Sequence, residues 1–311
     1  MKAITAAILI ASATGMMPVA APGEEAAKTM PIADMHFHVM PFMTSGELGE
    51  HMDRNGIRWA GGAGGPDGPV RRAEMSGVFG KRYILYTGQS QWVGLKQSRG
   101  VAGLEDAESP AFKNALERME KELREGARVI GEIHVNTTTS AANPLLLLKI
   151  RADAPTLKAM LDLAAKYKRP LNVHAQWDAD TAVQLGHLAD ANAQGVLLLS
   201  HCGVNASASD IRTFFEKHPN VLCDLSFRSP PQVRPRNADR IAFTADSLRG
   251  EWKHLIEDFP ERFMVGIDDV YNWADYDSVA NNIRAGLLAN LSPVTAEKVA
   301  YKNAVRLFGL E

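Results

Sequence analysis

Eight short apolar runs, each separated from the next by a longer, mostly amphipathic stretch, constrain this chain more than any other feature. They are Ile32–His38, Gly56–Ala60, Tyr83–Thr87, Val129–Val135, Pro170–His174, Val196–His201, Val221–Ser226 and Phe263–Ile267. Runs of this length alternating with helical patterns predict parallel βαβ units. The intervening helices are legible in places. Ser109-Pro110 reads as an N-cap with proline in the first turn, and Phe112, Leu116, Met119 and Leu123 then mark one face. Ala154-Pro155-Thr156 opens a second helix whose stripe is Leu157, Met160, Leu161 and Ala164, and a third runs from about Asp180 to Ala193. A single α/β barrel takes about 250 residues. The 311 residues here therefore need no second domain.

The N-terminus is set apart from that frame. Lys2 precedes an apolar run from Ala3 to Met17, and Val19 and Ala21 occupy the −3 and −1 positions of a small-residue cleavage site. This is the layout of a secretory signal peptide over residues 1–21, so export to a periplasm or beyond is expected. Residues 31–311 are expected to form one barrel domain. Cys202 and Cys223 sit inside apolar runs, where buried free thiols are expected over a bridge. The formal net charge of -2, with no lysine/arginine run, argues against a nucleic-acid partner. A small-molecule substrate is expected, with no membrane association once the leader is removed; whether the chain forms a homo-oligomer is left open.

Between Gly61 and Gly80 lie seven glycines and two prolines. That density predicts a long surface loop rather than a crossover helix. It is not a phosphate cradle: Asp67 stands where G-x-G-x-x-G needs its last glycine, and Met75 where the Walker pattern needs its first.

Chemistry concentrates at the ends of the apolar runs. In Asp34-Met35-His36-Phe37-His38, alternation puts His36 and His38 on one face together with Asp34. His174 and His201 end the fifth and sixth runs, Asp268 follows the eighth, and Glu132 stands in the fourth after Gly131. Parallel barrel strands deliver their C-terminal ends to one face, where active sites are built. Six imidazoles and carboxylates converging there imply a cation, since burying them without one is costly. The expected fold is thus an α/β (β/α)8 TIM barrel with a metal site at the C-terminal strand ends.

These residues carry a resemblance. Asp-x-His-x-His in the first run, His174, His201-Cys202-Gly203, Asn220–Ser226, Phe259–Asp268 and the closing stretch Glu297–Leu310 are similar to the family-2 branch of the amidohydrolase superfamily. The resemblance implies that His36, His38, His174 and Asp268 bind a divalent ion, most simply zinc, with manganese the other candidate. It implies that His201 is a ligand of a second ion or a neutral base, and that Glu132 takes the position of a bridging carboxylate. One or two ions are both compatible with this set, and the acid at position 132 tilts the balance slightly to two. A bound divalent ion lowers the pKa of water to roughly 7 and polarises a carbonyl oxygen. Asp268 is then the expected catalytic acid and base, with His201 supporting the developing charge.

The expected reaction is hydrolysis of a C–N or C–O carbonyl bond by metal-activated water. The first alternative is non-oxidative decarboxylation of a small aromatic carboxylic acid. Gly131-Glu132-Ile133 also resembles the nuclease-like branch, and a non-catalytic metal-binding protein on the same barrel is the alternative from another class. Substrate contacts are expected from residues just past the strand ends: Trp92 and Gln89, Trp177 and Gln176, Arg228, Tyr271 and Trp273. Arg228 would clamp a substrate carboxylate. His51, His187, His218 and His254 read as helix residues, and His134 shares the face of Glu132.

Overall fold

The computed structural model describes residues 22–62, 68–140, 144–233 and 235–311. The leader and its cleavage site lie outside the described residues. All eight predicted runs are strands, the third of them in two pieces. In chain order they are β1 (Ile32–Phe37), β2 (Ile57–Gly62), β3 (Tyr83–Ile84), β4 (Tyr86–Gly88), β5 (Val129–Asn136), β6 (Pro170–Ala175), β7 (Val196–Leu199), β8 (Val221–Asp224) and β9 (Phe263–Met264).

Every pairing is parallel, in the order β1-β2-β3 and then β4 through β9. The third run divides because Tyr83 and Ile84 pair with β2, whereas Tyr86 to Gly88 pair with β5. Leu85 between them accepts a hydrogen bond from the Arg128 amide at 2.7 Å. The ring returns to its start where the segment of β9 meets β1. Met35 N–H donates to the Val265 carbonyl at 3.1 Å, and Asp268 N–H donates to the His36 carbonyl at 2.6 Å. Between these two, a side chain replaces the backbone ladder: Asp34 Oδ1 accepts the Ile267 N–H at 2.9 Å. This is a (β/α)8 barrel.

Apolar packing explains the layers. Leu197, Leu199, Val221, Cys223 and Phe263 belong to the main core, which also takes Leu157, Met160 and Leu161 from the helix Pro155–Lys166. A smaller cluster draws Trp59, Ile84, Val129, Leu198, Leu222 and Met264 together against Ala304 and Phe308 of the C-terminal helix Asn303–Phe308. Arg128 and Arg169, just ahead of β5 and β6, each donate to the Phe308 carbonyl. That helix therefore sits at the N-terminal ends of the strands, opposite the ligand-bearing ends. The helix Pro110–Arg124 starts as expected, with Ser109 accepting the Phe112 N–H at 3.2 Å.

One expectation is corrected. Residues 68–79 are not loop but the helix Gly68–Phe79. The glycines cluster before and after it, leaving Gly77 alone in its interior. Met75 buries one face, while Arg72 bonds the Tyr86 carbonyl and Glu122. Strand boundaries also move: β7 stops at Leu199 and β9 at Met264, short of the predicted ends. Cys202 and Cys223 are buried free thiols.

Closure of the ring depends on Gly266, where a Cβ would lie 2.6 Å from His36 Cβ and 3.0 Å from Ser226 Cβ. Gly266→Ala should lower stability by about 1–3 kcal/mol in a urea titration, through overpacking. Gly77→Ala, where a Cβ meets nothing within 4 Å, should be neutral or stabilising by up to about 1 kcal/mol. Equal midpoints for the two variants would mean that β1 and β9 do not approach this closely.

Candidate metal centre

The six predicted ligands come from β1 and the residue that follows it, β5, β6, the turn after β7 and the segment after β9, and all are buried. Glu132 lies at their middle. Its Oε1 is 2.9 Å from His174 Nδ1, 3.5 Å from His36 Nε2 and 3.6 Å from His201 Nε2. Its Oε2 is 3.7 Å from His38 Nε2. Asp268 closes the other side, with Oδ1 3.4 Å from His38 Nε2 and 3.7 Å from His36 Nε2, and Oδ2 3.6 Å from His201 Nε2. The sequence placed Glu132 near a strand end. It is instead the fourth of the eight residues of β5, yet it still reaches the cage.

Apart from the 2.9 Å hydrogen bond between Glu132 and His174, these spacings fit a divalent cation. Separations of 3.4–3.7 Å exceed a hydrogen bond. They match the edge, about 3.4 Å, of a tetrahedron whose metal–ligand bonds are about 2.1 Å. His36 Nε2 is buried without a hydrogen-bond partner and faces both carboxylates. The donors are imidazole and carboxylate, the set that suits zinc or manganese. Three three-residue groups are assembled, His36–His38–Asp268, His36–His201–Asp224 and Glu132–His174–His201, each with its ligand atoms within 4.8 Å of one another.

The charge balance points the same way. Burial pushes the Asp268 carboxyl up to about 7, against the pull of His36. Burial alone would lower His36, but Asp224, Glu132 and Asp268 outweigh it and hold the imidazole well above its usual range. His201 is pushed well down, first by burial and then by the His174 and His36 rings. Left to itself, the cage recruits a proton where a cation would sit.

Asp224 is the residue sequence reasoning missed. Its Oδ2 meets His36 Nδ1 at 3.0 Å, so the other ring nitrogen is the one aimed into the cage. Its Oδ1 accepts the N–H groups of His201 and Ser226, both at 3.1 Å. An acid ending an apolar strand was the available signal, but its partner His36 is 188 residues away. Ser140 plays a similar part behind His174, with its Oγ 3.0 Å from Nε2. His134 stacks on His174 with ring centroids 4.7 Å apart and lies 3.5 Å from Glu132 Oε2. Burial pushes its pKa down to about 3, so it is neutral. Asp34 serves the ring closure rather than the cage, and burial raises its carboxyl to about 8.

The expected substrate contacts divide. Arg228 cannot clamp a substrate: it is 2% exposed, packs over Trp252, and gives its N–H groups to five backbone carbonyls. Trp92 is core, 1% exposed, with its indole N–H on the His134 carbonyl. Gln89 is likewise buried. Trp177 is partly buried against Phe214 and lies close to Gly203 in the His201 turn. Gln176 ties down Thr139, and Trp273 stacks on His51 at 4.2 Å. Tyr271, three residues past Asp268, is 69% exposed. Phe227, whose ring lies 5.7 Å from that of His201, was not anticipated.

The profile described as "Amidohydrolase" matches residues 33–310. The chain belongs to the amidohydrolase family. Among solved structures it is similar to a dihydroorotase from Campylobacter jejuni (TM-score 0.55, 12% identity, covering 91% of this chain and 84% of that one). It is also similar to a 2,6-dihydroxybenzoate decarboxylase from Rhizobium (0.52, 13%, 90% and 99%). A third likeness is to an amidohydrolase from Burkholderia multivorans with bound zinc (0.50, 14%, 88% and 89%). At these identities the structural likeness shows the fold. The search of curated proteins gave no match. The family is metal-dependent and includes hydrolases and decarboxylases.

Two outcomes are expected at this amidohydrolase site. Asp224→Asn should weaken zinc binding by roughly 10–100-fold, read by equilibrium dialysis, because the second partner of His36 is altered. Zinc affinity should also rise with pH through about 7, where the Asp268 carboxyl loses its proton. Below that pH the proton competes with the ion, costing roughly tenfold in affinity per pH unit per proton displaced. Calorimetry in buffers of different ionisation enthalpy reads the proton release directly.

Proposed function

We propose that the chain is an exported metal-dependent hydrolase that attacks a C–N or C–O carbonyl bond of a small molecule. The observation that carries this is the buried cage of His36, His38, Glu132, His174, His201 and Asp268. A divalent ion held by these residues, one or two in number, supplies Lewis acidity and makes a water nucleophile available at neutral pH.

The side chains supply the rest. Asp268 Oδ2, 3.6 Å from His201 Nε2, takes the proton of the attacking water and returns it to the leaving group. His201 is kept neutral by its surroundings, and with its Nδ1–H on Ser226 its bare Nε2 is a ligand atom, so it supports charge on the carbonyl oxygen only through an ion that it would hold. Asp224 holds His36 and His201 through the bonds described above, and Ser226 Oγ, 2.8 Å from His201 Nδ1, holds that ring. Glu132 fixes the imidazoles around it, and burial of the whole set excludes bulk water. Tyr271 and Trp177 remain the proposed walls for substrate.

Decarboxylation of a small aromatic acid is the second reading. The likeness to a 2,6-dihydroxybenzoate decarboxylase supports it, as the likeness to a dihydroorotase supports hydrolysis. Residues 1–21 are proposed as the secretory leader, residues 31–311 as one catalytic domain, and export mildly favours hydrolysis. A small molecule rather than nucleic acid is the proposed partner, consistent with the net charge of -2. Among the described residues no helix is long and apolar enough to cross a membrane.

A panel of esters, lactones and amides, run beside benzoates with detection of carbon dioxide, tests the two reactions against each other. Activity should disappear on chelation and return with zinc or manganese. On whichever substrate turns over, Asp268→Asn should lower kcat by roughly 100-fold or more. Undiminished turnover by that variant would remove Asp268 from the proton transfer. N-terminal sequencing of the exported protein should read Pro22 first.

A further inference from the structure

The left-handed turn after β7 has a single cation at its centre. His201, Cys202 and Gly203 have φ of +57°, +50° and +69°. Three consecutive residues on that side of the map are unusual, and His201 and Cys202 carry side chains that disfavour it. Their three carbonyls all accept from one guanidinium. Arg228 Nε donates to His201 at 2.8 Å, and Nη2 donates to Gly203 at 2.7 Å and Cys202 at 3.4 Å. Nη1 reaches past the turn to Ala206 at 3.0 Å and across to Arg240 at 3.4 Å. Arg228 is buried, and its charged head lies 4.7 Å from the Trp252 ring centroid.

We infer that Arg228 is a positioning residue: its guanidinium fixes the His201–Gly203 turn and thereby aims the His201 imidazole at Glu132 and Asp268. The inference rests on the metal reading given above. Asp224 grips the N–H of His201 and Arg228 grips its carbonyl, so the residue is held at both backbone ends. Ser226 Oγ, 2.8 Å from Nδ1, then sets the rotation of the ring. What remains free to act is Nε2, 3.6 Å from both carboxylates. A planar fork of five donors suits carbonyls spread along a turn, and a lysine ammonium, a point with three donors, cannot span them.

The test uses cobalt(II), whose visible absorption reports ligand geometry, on the full-length protein. Wild type should take up cobalt(II) with a ligand-field band. Arg228→Lys should shift that band and weaken cobalt(II) binding by roughly tenfold or more. Trp252→Phe, which loosens the packing beneath the guanidinium but keeps every donor, should leave band and affinity unchanged even where its melting temperature falls. Arg228→Lys with a wild-type band and affinity overturns the inference, as does a Trp252→Phe variant that shifts the band in the same way. If Arg228→Lys does not fold, the Arg228 Nε–H resonance of wild type is followed during zinc titration of the apoprotein. It should move as His201 engages, and a stationary signal overturns the inference. Wild type that binds no cobalt(II) overturns the metal reading itself, and this inference with it.

Discussion

The carboxyl group of Asp34 holds the molecule's chemistry together from a place where no chemistry occurs. Its bond to the Ile267 amide replaces one rung of the ladder between the first and last strands. The backbone bonds on either side, Met35 to Val265 and Asp268 to His36, complete the seam. Without that seam, His36 and His38 would have no fixed relation to Asp268, although they are more than two hundred residues apart in the chain. Gly266 lets the strands approach closely enough for it to form. The metal centre is thus a consequence of barrel closure and not an addition to it.

Around the cage, three of the imidazoles are each held by a further group at their second ring nitrogen. Asp224 stands behind His36, Ser140 behind His174, and Ser226 and the turn behind His201. Imidazoles present two nitrogens, and a site that needs one of them must occupy the other. Asp268 itself sits at φ +66° and His201 at +57°, in the left-handed region that Asp and His enter more readily than most residues. Their facing atoms, Asp268 Oδ2 and His201 Nε2, are 3.6 Å apart.

Much of this was legible in the sequence because it is written in periodicity. Apolar runs of four to eight residues and 3.6-residue stripes are local signals, and all eight strand positions and the six cage residues follow from them. What was not legible depends on partners far away. Asp224 looks like any acid at a strand end until His36 is brought beside it. Arg228 and Trp92 follow strand ends, as substrate-binding residues do, but the first is enclosed by backbone carbonyls and the second by core. The helix Gly68–Phe79 was obscured for a different reason: glycine was averaged over a stretch in which it is concentrated outside the helical part.

The C-terminal helix carries one more implication. By packing Ala304 and Phe308 under the strand starts, and by tying its end to Arg128 and Arg169, it plugs the barrel at the end away from the ligands. Among the described residues the barrel is thus closed at its base, which leaves the loop end as the side from which the ligand-bearing strand ends are approached.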